Sequence, residues 1–396
     1  MEPGSRRRPL ETIRVALLIA AAAANGAVAL AIESTWGTDE LLRRDYRVFW
    51  DAARRLSEGR LEGIYDPRPG GFPFLHPPPV ITLSAPLGSL EPRAVYAIFT
   101  ALSIAALIAS ALALRALRPR RGEHDLVWLA AVASAPWLIA LILGQPAALF
   151  LAAWMLGLLA LERERPLAAG LVLGLLFVKP PLALAALVLG LRRPRVALGM
   201  LATAALLVLL SLPAGLARWP EWLEALGRVG DELASGEIAL WKQHTLLASL
   251  RSVAPAPLAW LGWALVALPL GALTLRAVRR ASVLRAGGLL ILATLALTPY
   301  AYYYDALLLA VPGACLWLER ERYPRRARWA LGILACATLA WQHAAFFVLQ
   351  AEGPPLAGLL VSAWLGAELW ATERARREHL LEAPAPRAEL EAPDQK

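Results

Sequence analysis

Apolar runs recur along the chain near 13–33, 93–114, 126–143, 147–161, 166–178, 181–191, 196–214, 256–275, 286–299, 304–318, 329–350 and 356–371, separated mostly by short arginine-bearing links. Sustained apolarity of this kind marks membrane helices, which need about 20 residues for a full span. Two runs, 166–178 and 181–191, fall short of that length and meet at Lys179-Pro180-Pro181. They are either two spans or a short hairpin, whose broken tip is tolerable only if buried in protein or lining a watery cavity. The pattern therefore predicts an all-α polytopic membrane protein with about 10–12 transmembrane helices. Residues 1–371 form one integral domain, interrupted by two long polar links at 34–92 and 215–255. The segment 372–396, with its APAPRAELEAP run, reads as a charged and largely disordered tail. The first run follows Arg6-Arg7-Arg8 and is too long for a secretory h-region, so it is expected to remain as an uncleaved first span.

Inside the first long link the pattern changes to an amphipathic one. Placed on a helix at 100° per residue, LLRRDYRVFWDAARRL (41–56) puts Leu41, Leu42, Tyr46, Val48, Phe49, Ala52, Ala53 and Leu56 on one face. Arg43, Arg44, Arg47, Asp51, Arg54 and Arg55 take the other. Asp51 belongs to the polar face. Asp45 stands alone near the middle of the apolar face, where an unpaired carboxylate is costly. Either a salt bridge to a nearby arginine or a functional role must offset that cost.

Composition supports the membrane reading: 58% of the residues are hydrophobic and the mean hydropathy is positive. The net charge of +9 is spread over links between apolar runs, without a basic patch interleaved with aromatics, which argues against a nucleic-acid partner. With both termini inside, 27 of the 40 Lys and Arg residues fall on the inner side, an inward bias that sets the orientation. Both termini are then cytoplasmic and both long links face outward. Cys315 and Cys336 lie in apolar segments without metal-ligand spacing, and read as small hydrophobes.

On this topology the unusual polar residues gather toward the outer side. Asp45 and His76 lie in the first link, Gln145 at an outer turn, and Lys179 at the tip of the short pair. Lys242 and His244 lie in the second link, while Tyr300, Tyr302, Tyr303, Tyr304 and Asp305 open the 304–318 segment. Gln342 and His343 sit in the outer third of their segment and suit an interhelical hydrogen-bonded pair. The inner halves are nearly bare of ionisable groups. Intramembrane polar residues are expensive and usually functional, so this one-sidedness points to an outward-facing cavity. The sequence has no Gly-rich phosphate loop, G-x-S-x-G elbow, H-E-x-x-H or D-x-D spacing. A metal-dependent nucleotide-sugar enzyme is thereby disfavoured, and no metal or cofactor site is expected.

Six blocks in order carry a resemblance: RDYRVFWDAARRL…IYDP, FPFLHPPPVITLSAPLGSLEP, LGQPAALF, KPPLAL, WKQHTLLASLR and LTPYAYYYDALLLAVP. Together they resemble glycosyltransferase family 87 from about Asp45 to Pro312. The resemblance implies a glycosyltransferase C-type fold and a polyprenyl-phosphate sugar donor (mannose-like); the transfer expected from such a donor is inverting and metal-independent, to a lipid or glycan acceptor. It places that transfer on the outer face of the cytoplasmic membrane. It also implies that Asp45, at the opening of the first outer link, is the catalytic base. Departures from the family's pattern fall at Ala147, His76 and Pro181 and bear on sugar and acceptor identity. The candidates for donor and substrate binding are Lys179, Lys242, Arg44, Gln145, His76, Tyr300 and Asp305, with cationic side chains holding the donor phosphate. The seven arginines of the first link are also suited to an anionic lipid headgroup. The rival reading is a transporter or flippase of a lipid-linked sugar. It calls for midplane polar groups and an internal repeat, neither of which the sequence displays.

Overall fold

The computed structural model describes residues 16, 20, 23–27, 31, 44–66, 74–117, 123–191, 193–235, 240–345 and 355–382. Regular structure among them is helical, with an isolated antiparallel bridge between Gln243 and Tyr302. Short helices α1 (Arg47–Ser57) and α2 (Pro78–Ser84) precede the long α3 (Pro92–Leu117). Then follow α4 (Glu123–Val132), α5 (Ala135–Leu143), α6 (Ala147–Glu162), α7 (Pro166–Gly174), α8 (Pro180–Gly190) and α9 (Pro194–Leu210). The second long link contains α10 (Arg218–Ser235) and α11 (Leu246–Arg251). The last group is α12 (Ala256–Val278), α13 (Val283–Leu297), α14 (Ala310–Leu318), α15 (Arg325–Ala344) and α16 (Ala357–Glu382).

These helices coincide with the apolar runs from 93–114 onward, and the differences have local causes. Three segments, Pro92–Leu117, Pro194–Ala214 and Ala256–Val278, are long and apolar enough to cross a membrane. Their lipid-like exposure, with Leu201, Leu209, Leu265 and Leu268 all at least 60% accessible, fits apolar surroundings. The expected single segment 126–143 is broken: Leu126–Val132 and Ala135–Leu143 meet at 49°. Pro136 lies just past the break and cannot donate to Val132, four residues back. The short pair parts at Lys179, which takes an extended conformation (φ −135°, ψ 90°), as a residue before proline prefers. The last helix continues beyond Thr372 to Glu382.

α7 does not rely on apolar bulk for its packing. Gly170 and Gly174 lie four apart on the face turned to α9, where Gly199 and Thr203 repeat that spacing. A Cβ on Gly170 would meet the Val196 carbonyl at 2.1 Å, and one on Gly199 the Leu167 carbonyl at 2.4 Å. The backbones approach this closely because both positions lack a side chain. Thr203 Oγ1 adds a hydrogen bond across the crossing to Leu171 O at 2.8 Å.

Two cores result. The larger one centres on α6, with Trp154, Met155 and Leu158 buried in a core shared with α13 and the 3₁₀ turn Tyr303–Leu309. The smaller joins both long links: Tyr46, Phe49, Tyr65 and Phe74 from the first, Trp222 and Ala225 from the second. Backbone capture secures that union, because Trp222 Nε1 donates to Leu75 O (3.0 Å) and Arg228 to Tyr65 O (2.8 Å). α1 buries Phe49, Ala52 and Ala53, at the i, i+3, i+4 spacing of an amphipathic helix. It begins at Arg47, however, rather than at 41. Asp45 therefore sits in the turn before the helix, not on its apolar face, while Leu41, Leu42 and Arg43 lie outside the described residues.

An ionisable cluster is also buried away from the two long links. Where α13, α16 and the link before α15 converge, Glu368 is buried with Arg285 and Tyr323. Tyr323 Oη donates to Glu368 (3.0 and 3.2 Å), Arg285 pairs with it at 3.5 Å, and Arg285 also donates to Thr372 Oγ1 at 2.9 Å.

Candidate active site

The turn that presents Asp45 is built on the end of α5. Gly144 adopts a left-handed conformation (φ 66°), its N–H donates to Leu141 O (3.1 Å), and the Gln145 N–H reaches back to Ala140 O (2.8 Å). This is the Schellman arrangement for ending a helix, with Pro146 next to block continuation. Two carbonyls of the last turn also accept from the neighbouring region: Leu143 O from the Tyr46 N–H (2.9 Å) and Leu141 O from Tyr96 Oη (3.0 Å). Gly144 is required twice, since a Cβ there would meet Tyr46 Cβ at 2.6 Å. The outcome is local and specific. Gln145 Nε2 donates to Asp45 Oδ2 at 2.7 Å, across 100 residues of sequence.

Burial raises the Asp45 carboxyl above the ordinary carboxylate range. The Gln145 hydrogen bond and then the charges of Lys242 and Arg44 act in the opposite direction. The residue keeps a partly accessible surface, and among the described residues it has no ion pair. That combination favours a proton acceptor over a buried structural charge.

Lys179 and Asp305 form a second pair. Lys179 Nζ contacts Asp305 Oδ1, and its charge lies 5.2 Å from the Tyr304 ring centre and 5.4 Å from that of Phe150. Asp305 Oδ2 accepts the Tyr302 N–H at 3.0 Å, capping the 3₁₀ turn Tyr303–Leu309. Both oxygens of this buried carboxylate are thus engaged, and Asp305 holds Lys179 rather than lining open space. The WKQH and PYAYYYD blocks are stitched together: the His244 N–H donates to Ala301 O (2.8 Å) and the Ala301 N–H to Gln243 Oε1 (3.3 Å). Gln243 is wholly buried, a contribution the sequence pattern did not single out because its partners are backbone groups 58 residues away.

His76 rests between Phe49 and Phe74, with ring centres 4.7 and 5.7 Å away. Burial, reinforced by the Lys179 charge, pushes its imidazole down to about 3. His244, 6.3 Å from the Tyr303 ring, is pushed down to about 3 by burial alone. Both are neutral imidazoles at physiological pH. Tyr300 and Tyr303 lie within electrostatic reach of the Asp45 charge. Gln145 therefore touches the Asp45 carboxylate, and Arg44, Lys242 and Tyr300 lie within its electrostatic reach. Lys179, Asp305 and His76 form the adjoining group. Other arginines of the first link face elsewhere: Arg54 pairs with Glu58 (3.2 Å), Arg55 with Asp51 (3.5 Å), and Arg60 with Glu58. These pairs engage the polar face of α1 with its own carboxylates. Among the described residues no three His, Cys, Asp or Glu side chains converge as a metal site would require.

The family model of glycosyltransferase family 87 matches residues 74–299, more than half of the chain. The chain belongs to glycosyltransferase family 87. No curated protein matches it. The matched region contains His76, Gln145, Lys179 and Lys242, while Arg44, Asp45, Tyr300 and Asp305 flank it. The Gln145–Asp45 bond and the 243–302 bridge are among the contacts that join the flanks to the family 87 region. Membership indicates glycosyltransferase activity, and the apolar helices fit a membrane-embedded member.

Proposed function

We propose that this family 87 enzyme moves a hexose, mannose-like, from a polyprenyl-phosphate donor to a lipid or glycan acceptor on the outer face of the cytoplasmic membrane. Both termini are cytoplasmic on this reading, and 34–92 and 215–255 are the two outward loops of a glycosyltransferase C-type fold. The observation that carries it is Asp45. A carboxylate made more basic by burial is held by an amide rather than an ion pair, beside cationic side chains, in a glycosyltransferase.

In the proposed reaction the acceptor hydroxyl oxygen attacks the anomeric carbon of the donor. The new C–O bond forms as the bond from that carbon to the phosphate oxygen breaks, with inversion and without a metal. Asp45 takes the hydroxyl proton, and the electron pair leaves on the polyprenyl phosphate. Lys242, Arg44 and Lys179 supply positive charge for that developing phosphate. Gln145 orients the base, Asp305 holds Lys179, and Tyr300 and His76 line the sugar-binding space. Purified protein incubated with a panel of polyprenyl-phosphate sugars tests this. Transfer, or slow donor hydrolysis, from one member is expected. A complete lack of turnover with lipid-linked sugars, alongside turnover of a nucleotide sugar, contradicts it.

A further inference from the structure

The broken span α4–α5 has a cause in the sequence and two side chains that answer it. Pro136 leaves Val132 O without its helical donor and crowds that carbonyl, so the chain bends by 49° around Ala133-Ser134. Freed carbonyls within a membrane-embedded bundle must find donors elsewhere. Asn25, buried in the first apolar run, donates through Nδ2 to Val132 O at 3.0 Å and to Ser134 O at 3.4 Å. From α15, His343 Nε2 lies 3.1 Å from Ala133 O, while Nδ1 lies 2.9 Å from Leu339 O in its own helix. The tautomer with a proton on Nε2 donates to the carbonyl at the break. His343 thus makes an interhelical bond, as expected, whereas the buried Gln342 side chain makes no hydrogen bond among the described residues.

The bend matters because of what α5 carries at its far end. A helix of this length is about 14 Å long, so straightening a 49° bend would displace its tip by about 11 Å. That tip is Gly144-Gln145, the donor to Asp45. Nearly all of α5 is buried, and its last carbonyls are gripped by Tyr46 and Tyr96. A bend set at one end is therefore transmitted as the placement of Gln145 at the other. We infer that Asn25 and His343 are positioning residues, which hold the bend at Ala133-Ser134 and thereby keep Gln145 against Asp45. The geometric half stands by itself, and its catalytic consequence rests on the reading of Asp45 as the base.

The test pairs a distance with a rate. In a background lacking Cys315 and Cys336, an Asp45→Cys/Gln145→Cys protein is treated with a short bifunctional thiol reagent. Efficient crosslinking is expected, falling severalfold when Asn25→Leu and His343→Leu are added and recovering when His343→Gln restores an amide donor. In the otherwise wild-type enzyme, the same two leucine substitutions should lower kcat by about 10–100-fold, the range an ångström of misplacement can cost, with KM little changed. Should the double variant fail to fold, each single variant gives the same reading with a smaller loss. Undiminished crosslinking in a folded variant overturns the inference. Diminished crosslinking in a protein whose Asp45→Asn variant remains fully active leaves the bend standing and removes the base.

Discussion

Two buried carboxylates at opposite ends of the bundle show how the choice of partner decides what a charge can do. Glu368 is paired by the Arg285 guanidinium, accepts from Tyr323 on both oxygens, and is sealed from solvent. Arg285 itself lies over the Tyr323 ring at 4.5 Å and donates to Thr372. Every partner is a neighbour in the fold, and the cluster ties α13, the link before α15, and α16 together. Asp45 is held by a neutral amide and remains partly accessible, with its cations acting through space. A guanidinium partner makes Glu368 a structural tie. An amide partner holds Asp45 without an ion pair, and burial still raises its carboxyl above the ordinary range.

The largest expected effect separates these two ends by stability. Glu368→Leu strands Arg285 in a dry pocket and should cost about 3–5 kcal/mol, as breaking one side of a buried pair does. Thermal unfolding in detergent would show it, with kcat of whatever folded protein remains close to wild type. A Glu368→Leu enzyme with normal stability but collapsed turnover would move Glu368 into the chemistry and dissolve the contrast.

A smaller effect is expected at the turn that delivers the amide. Gly144→Ala imposes a Cβ at positive φ and against Tyr46, a strain of about 1–3 kcal/mol. It should also reduce kcat by displacing Gln145, which separates it from a purely structural loss. Unaltered thermal stability would mean that the turn tolerates a side chain and does not fix Gln145.

Gln145→Ala sharpens the electrostatic half of the comparison. Burial already raises Asp45, and the Gln145 bond is the largest influence holding it down. Removing that bond should move the acid limb of kcat/KM to higher pH, because a base must be ionised to work. The linkage sign agrees. Between the ordinary carboxylate value and the raised one, the folded state binds more protons than the unfolded chain. Stability therefore falls as pH rises through that window, and Gln145→Ala widens it. His76 and His244, already driven to about 3, should contribute no limb between pH 5 and 8. An acid limb that stays in place in Gln145→Ala would detach the amide from the titrating group.

Much of this architecture was legible in the order of apolar and polar residues. Helices from Pro92 onward follow the apolar runs, and the polar residues singled out along separate segments converge in space. What the pattern missed depends on pairings over long separations. Arg285 and Glu368 lie 83 residues apart and look singly like a link arginine and a helix-end acid. Asn25 is one neutral residue in an alanine run, and nothing local says that it answers Pro136. Asp45 was singled out by a helix that starts later than expected. Its turn position leaves the argument about cost intact, because burial rather than helical face is what makes the carboxylate unusual. Gln145 could be named from its GQP setting, but its bond to Asp45 is tertiary.

The most direct test sets Asp45 against Asp51, two aspartates six positions apart. Asp51 sits on the polar face of α1, paired to Arg55 at 3.5 Å with a partly exposed side chain. Asp51→Asn should alter stability by less than about 0.5 kcal/mol and leave turnover near normal. Asp45→Asn keeps the shape and removes the basicity, so kcat for sugar transfer should fall by about 10²–10⁴-fold at comparable folded yield and thermal stability. An Asp45→Asn enzyme that folds and turns over like wild type contradicts the account.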